Sequence, residues 1–313
     1  MPDGPVGDER YLRYCRRRRC PLIVLLAICV AAAGRVVTAG ELPLWEAGAG
    51  IFTGTFPAYR GSDDQKNYLL PFPYLVYRGE FLRIEREGIR ARLFDTDRVE
   101  VNVSVSGAIP VDSDDSGARS GMPDLDPTLE LGPSLNVVLA RPSDRHTLKL
   151  KLPVRSVIAT DLDNTEQAGW IFGPHLNLDS RDVFDSWDAG LSMGPLFGNR
   201  KYHAYYYEVA PEYATASRPA YRAPGGYSGT LVIASLSRRF EHVWMGGFVR
   251  YDNLSDTAFD DSPLVETRHS VMAGFGLAYI MKKSSRRVSR QTDISRGLTG
   301  MAEDRLPAMS LPR

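Results

Sequence analysis

The chain has little cysteine. Its three residues, Cys15, Cys20 and Cys29, all fall within the first 29 of 313 positions. The run around Cys29 reads as a secretory leader, so the mature protein is expected to have none. That excludes disulfides, thiolate nucleophiles and cysteine metal sites. Long apolar runs are also lacking. Pro21–Ala33 spans 13 residues, short of the roughly 20 a membrane helix requires, and nothing comparable follows. Histidine occurs only at His146, His175, His203, His242 and His269, without a His-x-x-x-His spacing. There is no P-loop, dinucleotide fingerprint or nucleophile motif. No catalytic residue, metal site or cofactor is assigned, and the chain is not expected to be an enzyme. Net charge is absent too, with 38 basic and 38 acidic residues.

That balance conceals an uneven distribution. Residues 1–39 hold seven Arg against three acids, and 282–313 hold eight basic groups against three. The body, 40–281, is left with 23 basic and 32 acidic groups, a net of −9. A body of this sign is a poor nucleic-acid binder. The leader has a basic stretch from Arg10 to Arg19, then the apolar run, then Val37-Thr38-Ala39 as a small-residue cleavage site. Three segments follow from this reading: a signal peptide over 1–39, a folded body over 40–281, and a basic, disordered tail over 282–313.

The body carries alternation. Val99-Glu100-Val101-Asn102-Val103-Ser104-Val105 and Leu148-Lys149-Leu150-Lys151-Leu152-Pro153-Val154 each give a strand one apolar and one polar face. About twelve such runs are read, at 44–56, 68–78, 80–93, 98–109, 127–140, 146–159, 167–179, 186–197, 203–213, 227–240, 242–252 and 268–281. Most span 11–14 residues. Soluble strands average about 5–6 residues, whereas membrane-spanning strands need about 9–11. The fold class is therefore all-β, an antiparallel transmembrane β-barrel of about 12 strands. A soluble sandwich or barrel is the competing reading. Glu87-Gly88, inside the run 80–93, marks a possible bulge or turn that would change the strand count. Aromatic residues crowd the strand ends, as in interfacial girdles; they include Trp45, Phe56, Tyr59, Tyr74, Trp170 and Trp244.

Particular segments resemble a known family. Gly48-Ala49-Gly50 with Phe56-Pro57-Ala58-Tyr59-Arg60-Gly61, then Pro71-Phe72-Pro73-Tyr74, Gly121-Met122-Pro123-Asp124, Tyr206-Tyr207-Glu208-Val209 and Gly225-Gly226-Tyr227 resemble, in order, MipA/OmpV family outer-membrane proteins. The family commonly has Gly where Glu208 stands. The resemblance implies a barrel in the outer membrane of a Gram-negative bacterium, surrounded by outer-membrane lipid. It also implies a scaffold that joins a lytic transglycosylase to a penicillin-binding protein. A small-solute channel is the alternative, and a narrow lumen filled by charged side chains would favour the scaffold.

Two loop readings complete the expectations. Counting strands from a periplasmic start puts loops 57–67, 214–226 and 253–267 outside and the 110–126 connection in the periplasm. On that count Arg119, Met122, Asp124 and Leu125 are the expected partner contact on the murein side. A plug folded into the barrel mouth is the alternative for the same segment, and splitting the run 80–93 would reverse the parity. Aspartates cluster in 110–127 and again, with Glu266, in 252–267; solvated acidic loops are favoured over a calcium site.

Overall fold

The computed structural model describes residues 41–85, 88–108, 113, 117–161, 164–184 and 186–289. The leader and the residues after Ser289 lie outside them. No helix among the described residues is long and apolar enough to cross a membrane.

One antiparallel sheet dominates. Its first strands are β2 (Trp45–Pro57), β3 (Gln65–Arg78), β4 (Leu82–Glu85), β5 (Gly88–Asp95), β6 (Val99–Ala108), β7 (Thr128–Ser143) and β8 (His146–Thr160). It continues through β9 (Thr165–Phe172), β10 (His175–Val183), β11 (Trp187–Gly198), β12 (Gly226–Arg239), β13 (Val243–Asn253) and β14 (His269–Lys283). The sheet closes because β14 returns to β2, with Gly274 opposite Gly54 and Leu277 opposite Ile51. β9 and β10 act as one wall strand. Both pair with β8, and the register carries across the interruption at Gly173-Pro174, with Phe172 opposite Val154 and His175 opposite Lys151. Proline has no N–H for the ladder. The wall therefore has twelve strands.

That number agrees with the sequence reading through two compensating differences. The run 80–93 is two strands, since β4 and β5 pair with Glu85 opposite Gly88. The run 203–213 is not a strand at all. It belongs to the helix α1 (Arg200–Tyr207) and a short 3-10 turn at Pro211–Tyr213. Asn199 caps α1 by accepting from the Tyr202 N–H at 3.0 Å, which satisfies a donor with no helical partner. His203 and Tyr207, one turn apart, are both buried, so packing overrides the strand preference of three consecutive tyrosines.

The alternation sorts side chains as anticipated. Leu131, Leu135, Leu176, Leu191, Val249, Val271 and Phe275 are exposed outside, and Glu100, Asn102, Ser134, Asn136, Lys149 and Lys151 are buried inside. The girdle reading needs correction. Trp45, Trp170 and Tyr279 are on the outer surface, whereas Phe56, Tyr59, Tyr74 and Trp244 are fully enclosed. The enclosed ones fill the lumen or its mouth.

The lumen has two unlike halves. Over β2, β3, β12, β13 and β14, Phe52, Phe56, Ile233, Phe248 and Met272 form one cluster, and Tyr74, Val76, Trp244, Ala278 and Ile280 another. Glycines make room for these rings. A Cβ on Gly246 would lie 2.5 Å from the Trp244 ring, and one on Gly274 would lie 2.6 Å from Phe52. Over β6 to β10 the filling is polar. The Lys149 ammonium donates to Asp179 at 2.9 Å, and Glu100 accepts from Asn102 at 2.6 Å and Asn136 at 3.2 Å. Buried charge is tolerable only when paired in this way.

β3 and β4 join through only two opposed pairs, Tyr77 with Ile84 and Arg78 with Arg83. The rest of that β3 edge has no strand partner among the described residues. Pro71 and Pro73, which lack N–H donors, reduce the unpaired backbone on this strand.

The first and last described strands meet. β1 (Glu41–Pro43) pairs with β15 (Arg287–Ser289), Leu42 opposite Val288, and β14 itself runs to Lys283. The expected boundary at 281 therefore shifts. Residues 282–289 include strand, and only the part from 290 onward lies outside the described residues.

Candidate functional site

Successive strands alternate direction, so connections alternate between the two ends of the barrel. The connections after β2, β4, β6, β8, β11 and β13 share one end; those after β4 and β8 are tight turns, and the other four are long. The connections after β3, β5, β7, β10 and β12 share the other with the β1–β15 ribbon, and are short. Periplasmic turns are the short ones in such barrels, which makes the long-loop end the outer mouth.

The four long connections interlock into a cap. Ala58, Tyr59, Leu125, Tyr207, Val209, Ala223, Leu254, Phe259 and Leu264 form one buried cluster drawn from all of them. The Tyr59 hydroxyl donates to the Leu264 carbonyl at 2.8 Å, and the Tyr207 hydroxyl to the Arg60 carbonyl at 2.8 Å. Tyr207 also stacks on Phe259, centroids 3.7 Å apart and planes 9° from parallel. Arg218 ties its own connection to another by donating to the carbonyls of Ala118 at 2.8 Å and Ser120 at 2.9 Å.

The residues expected to form a murein-side contact lie in this cap. The 110–126 connection shares its end with the other long loops, because the split of 80–93 reverses the strand parity. Arg119 and Leu125 are buried. Arg119 donates to Ser113 Oγ at 3.2 Å, the Tyr206 carbonyl at 3.1 Å and the Pro123 carbonyl at 2.9 Å. Burial pulls its pKa below the ordinary guanidinium value, against the opposing influence of Tyr59. Asp124 accepts from the Ser113 N–H at 2.7 Å, and Met122 packs on the apolar cluster. The described part, 117–126, packs into the loop cluster, as the alternative reading of its sequence expects.

Beneath the cap lies a cavity of about 80 Å³, lined by Arg60, Arg155, Arg250, Glu130 and His175 together with Tyr202, Tyr206 and Tyr207. Asp252, fully buried, organises one side. It accepts from Arg60 Nε at 2.8 Å and from Arg250 Nε and Nη2, both at 2.8 Å. Burial disfavours the Arg60 charge, but the Asp252 carboxylate outweighs it and raises the pKa above the usual value. Opposite, Arg155 reaches Glu130 at 3.3 Å and Ser106 at 3.4 Å. Single-sequence patterning places Arg155 and Glu130 on the lumen side but cannot bring Arg60, from a loop, beside Arg250, from a strand 190 positions on.

His203 is held in a buried hydrogen-bonded pair. His203 Nε2 meets Ser228 Oγ at 2.5 Å and Nδ1 meets the Pro224 carbonyl at 2.6 Å. A carbonyl only accepts, so Nδ1 carries the proton and Nε2 accepts from the serine. Both side chains are fully buried, and a carbonyl replaces the carboxylate of a catalytic triad. Burial lowers the His203 pKa, the Pro224 carbonyl opposes that, and Arg60 adds to it. The acidic loops are mostly committed as well. Asp260 accepts from Arg268 at 2.6 Å and Asp261 from Tyr221 at 2.6 Å. Asp63, Asp64 and Glu266 bring carboxylate oxygens within 4.8 Å of one another on the surface.

Known proteins match this architecture. The family model described as MltA-interacting protein MipA matches residues 48–281. Outer membrane protein Omp26La of Vibrio anguillarum is 26% identical over 245 residues, covering 75% of this chain and 86% of the relative. Outer membrane protein OmpV of Vibrio cholerae serotype O1 is 26% identical over the same shares. Among solved structures, the CymD monoaromatic hydrocarbon channel aligns over 80% of this chain and 69% of its own at 11% identity, with a TM-score of 0.24. The matched span takes in the cap and all but the outermost residues of the first and last wall strands: the chain belongs to the MltA-interacting protein MipA family and is a β-barrel of the Gram-negative outer membrane.

Proposed function

We propose that the protein is a non-enzymatic platform in the outer membrane on which murein enzymes assemble, a lytic transglycosylase and a penicillin-binding protein, and that it is not an open channel. The observation that carries this reading is the obstructed lumen. Near the short-turn end Glu46 engages Arg78 at 3.4 Å and also Arg239. Rings of Phe52, Tyr74, Trp244 and Phe248 occupy the middle. The interlocked loops cover the outer mouth. A lumen obstructed at its floor, middle and mouth suits a rigid body better than a conduit. The family's name, which records an interaction with MltA, supports the choice of partner class.

On this reading partners dock at the short-turn end, beside the β1–β15 ribbon, and Arg119, Met122, Asp124 and Leu125 keep the cap closed. Reconstitution into planar bilayers tests the first half. No stepwise conductance is expected; a steady open pore would favour the channel. Crosslinking in cells tests the second half and is expected to capture a murein hydrolase or synthase from the periplasmic side. A cysteine at Ser120, exposed on the cap, is expected to react with a membrane-impermeant thiol reagent on intact cells. Labelling only after permeabilisation would invert the barrel and remove the docking face.

A further inference from the structure

We infer that the cavity beneath the cap is a binding site for a small organic carboxylate. Its charge is the first reason. Arg60, Arg155 and Arg250 line it against a single lining carboxylate, Glu130, and Asp252, which two of the arginines share, leaves the group one positive charge in excess. Three guanidinium groups around one small space favour an anion.

The second reason is an unused donor. Arg60 is 6% exposed. Its Nε is spent on Asp252 at 2.8 Å, but its Nη2 is buried without a hydrogen-bond partner among the described residues. A buried donor left unmade keeps the full cost of leaving water. The planar guanidinium groups that line the cavity suit a carboxylate better than a spherical anion.

The third reason is the remaining wall. Leu196, Leu231 and the Tyr206 ring give the cavity an apolar side, so the preferred anion carries an apolar or aromatic portion. Size sets the limit. One water needs about 10–15 Å³ of this kind of volume, so some 80 Å³ admits a ligand of under about ten heavy atoms. A murein fragment or a lipid headgroup is too large. The inference does not depend on the scaffold reading, because a blocked barrel and a channel can both hold such a ligand.

The test uses the full-length barrel folded in detergent, with heat-modifiable gel mobility confirming each variant's fold. Calorimetric titration with benzoate is compared with the isosteric neutral benzamide, and with inorganic phosphate. Benzoate is expected to bind, benzamide at least tenfold more weakly, and phosphate more weakly than benzoate. Arg155→Gln is expected to weaken benzoate about tenfold or more. Arg60→Lys, which keeps a cation for Asp252 and removes Nη2, is expected to reduce the preference for benzoate over benzamide. Glu130→Gln is expected to tighten benzoate severalfold, a gain that misfolding cannot imitate. Equal binding of benzoate and benzamide, binding of neither, or an affinity indifferent to Glu130→Gln overturns the inference and leaves a water-filled void.

Discussion

The two halves of the lumen fill the same cylinder by different means. One half uses rings: Phe52, Phe56, Phe248 and Trp244, seated against inward-facing Gly246 and Gly274. The other uses charge and amide: Lys149 with Asp179, and Glu100 with Asn102 and Asn136. The ring half depends on shape, because a removed ring leaves a cavity that surrounding strands cannot collapse to fill. The polar half depends on pairing, because a charge without its partner keeps the full cost of leaving water. Both fillings work because a strand wall that is hydrogen-bonded except along part of the β3–β4 seam, rather than the lumen, meets the bilayer.

The comparison can be broken first at Trp244. Trp244→Ala is expected to cost about 3–5 kcal/mol in a urea refolding titration, with little dependence on salt. A cost below 1 kcal/mol would mean that the ring half is loosely filled.

Lys149→Met is expected to cost about 3 kcal/mol, since the buried Asp179 then loses its ammonium counter-charge. Adding Asp179→Leu is expected to restore most of that loss. A double variant as unstable as the single one would show that shape matters in the polar half too.

Wall facing sharpens the contrast. Val101→Arg places a charge on the lipid side and is expected to cost about 2–4 kcal/mol if the residue lies near the midplane. Asn102→Arg, next along β6 but turned to the lumen, is expected to be milder. Equal tolerance would undo the assignment of faces.

The smallest effect is expected in the cap. The folded-state pKa of His203 is depressed, by burial first, so the unfolded chain binds the proton more readily. Stability from the neutral ring is complete above the ordinary histidine value of about 6.5 and declines as pH falls through the folded-state pKa. Proteolysis within 214–222 is therefore expected to accelerate on acidification below pH of about 6. His203→Gln is expected to flatten that response. A pH-independent rate would place the weak point elsewhere.

Alternation along Val99–Val105 and Leu148–Val154 was enough to reveal strands, their two faces and the antiparallel barrel, because side-chain period and bilayer thickness are local, one-dimensional constraints. Glu130 and Arg155 were readable as inward for the same reason. Parity was not. Whether Glu85 and Gly88 face each other in a hairpin, and whether Tyr205-Tyr206-Tyr207 continues a strand or closes a helix on Phe259, depends on neighbours far along the chain. The cap shows this most clearly. Met122 and Leu125 were legible as apolar residues in a polar connection, and only their packing with Tyr59, Tyr207 and Phe259 made them its interior. The meeting of Arg60 with Asp252 and Arg250 is likewise beyond any local pattern, since loop closure over 192 positions is set by the closed sheet that brings both ends to the same mouth.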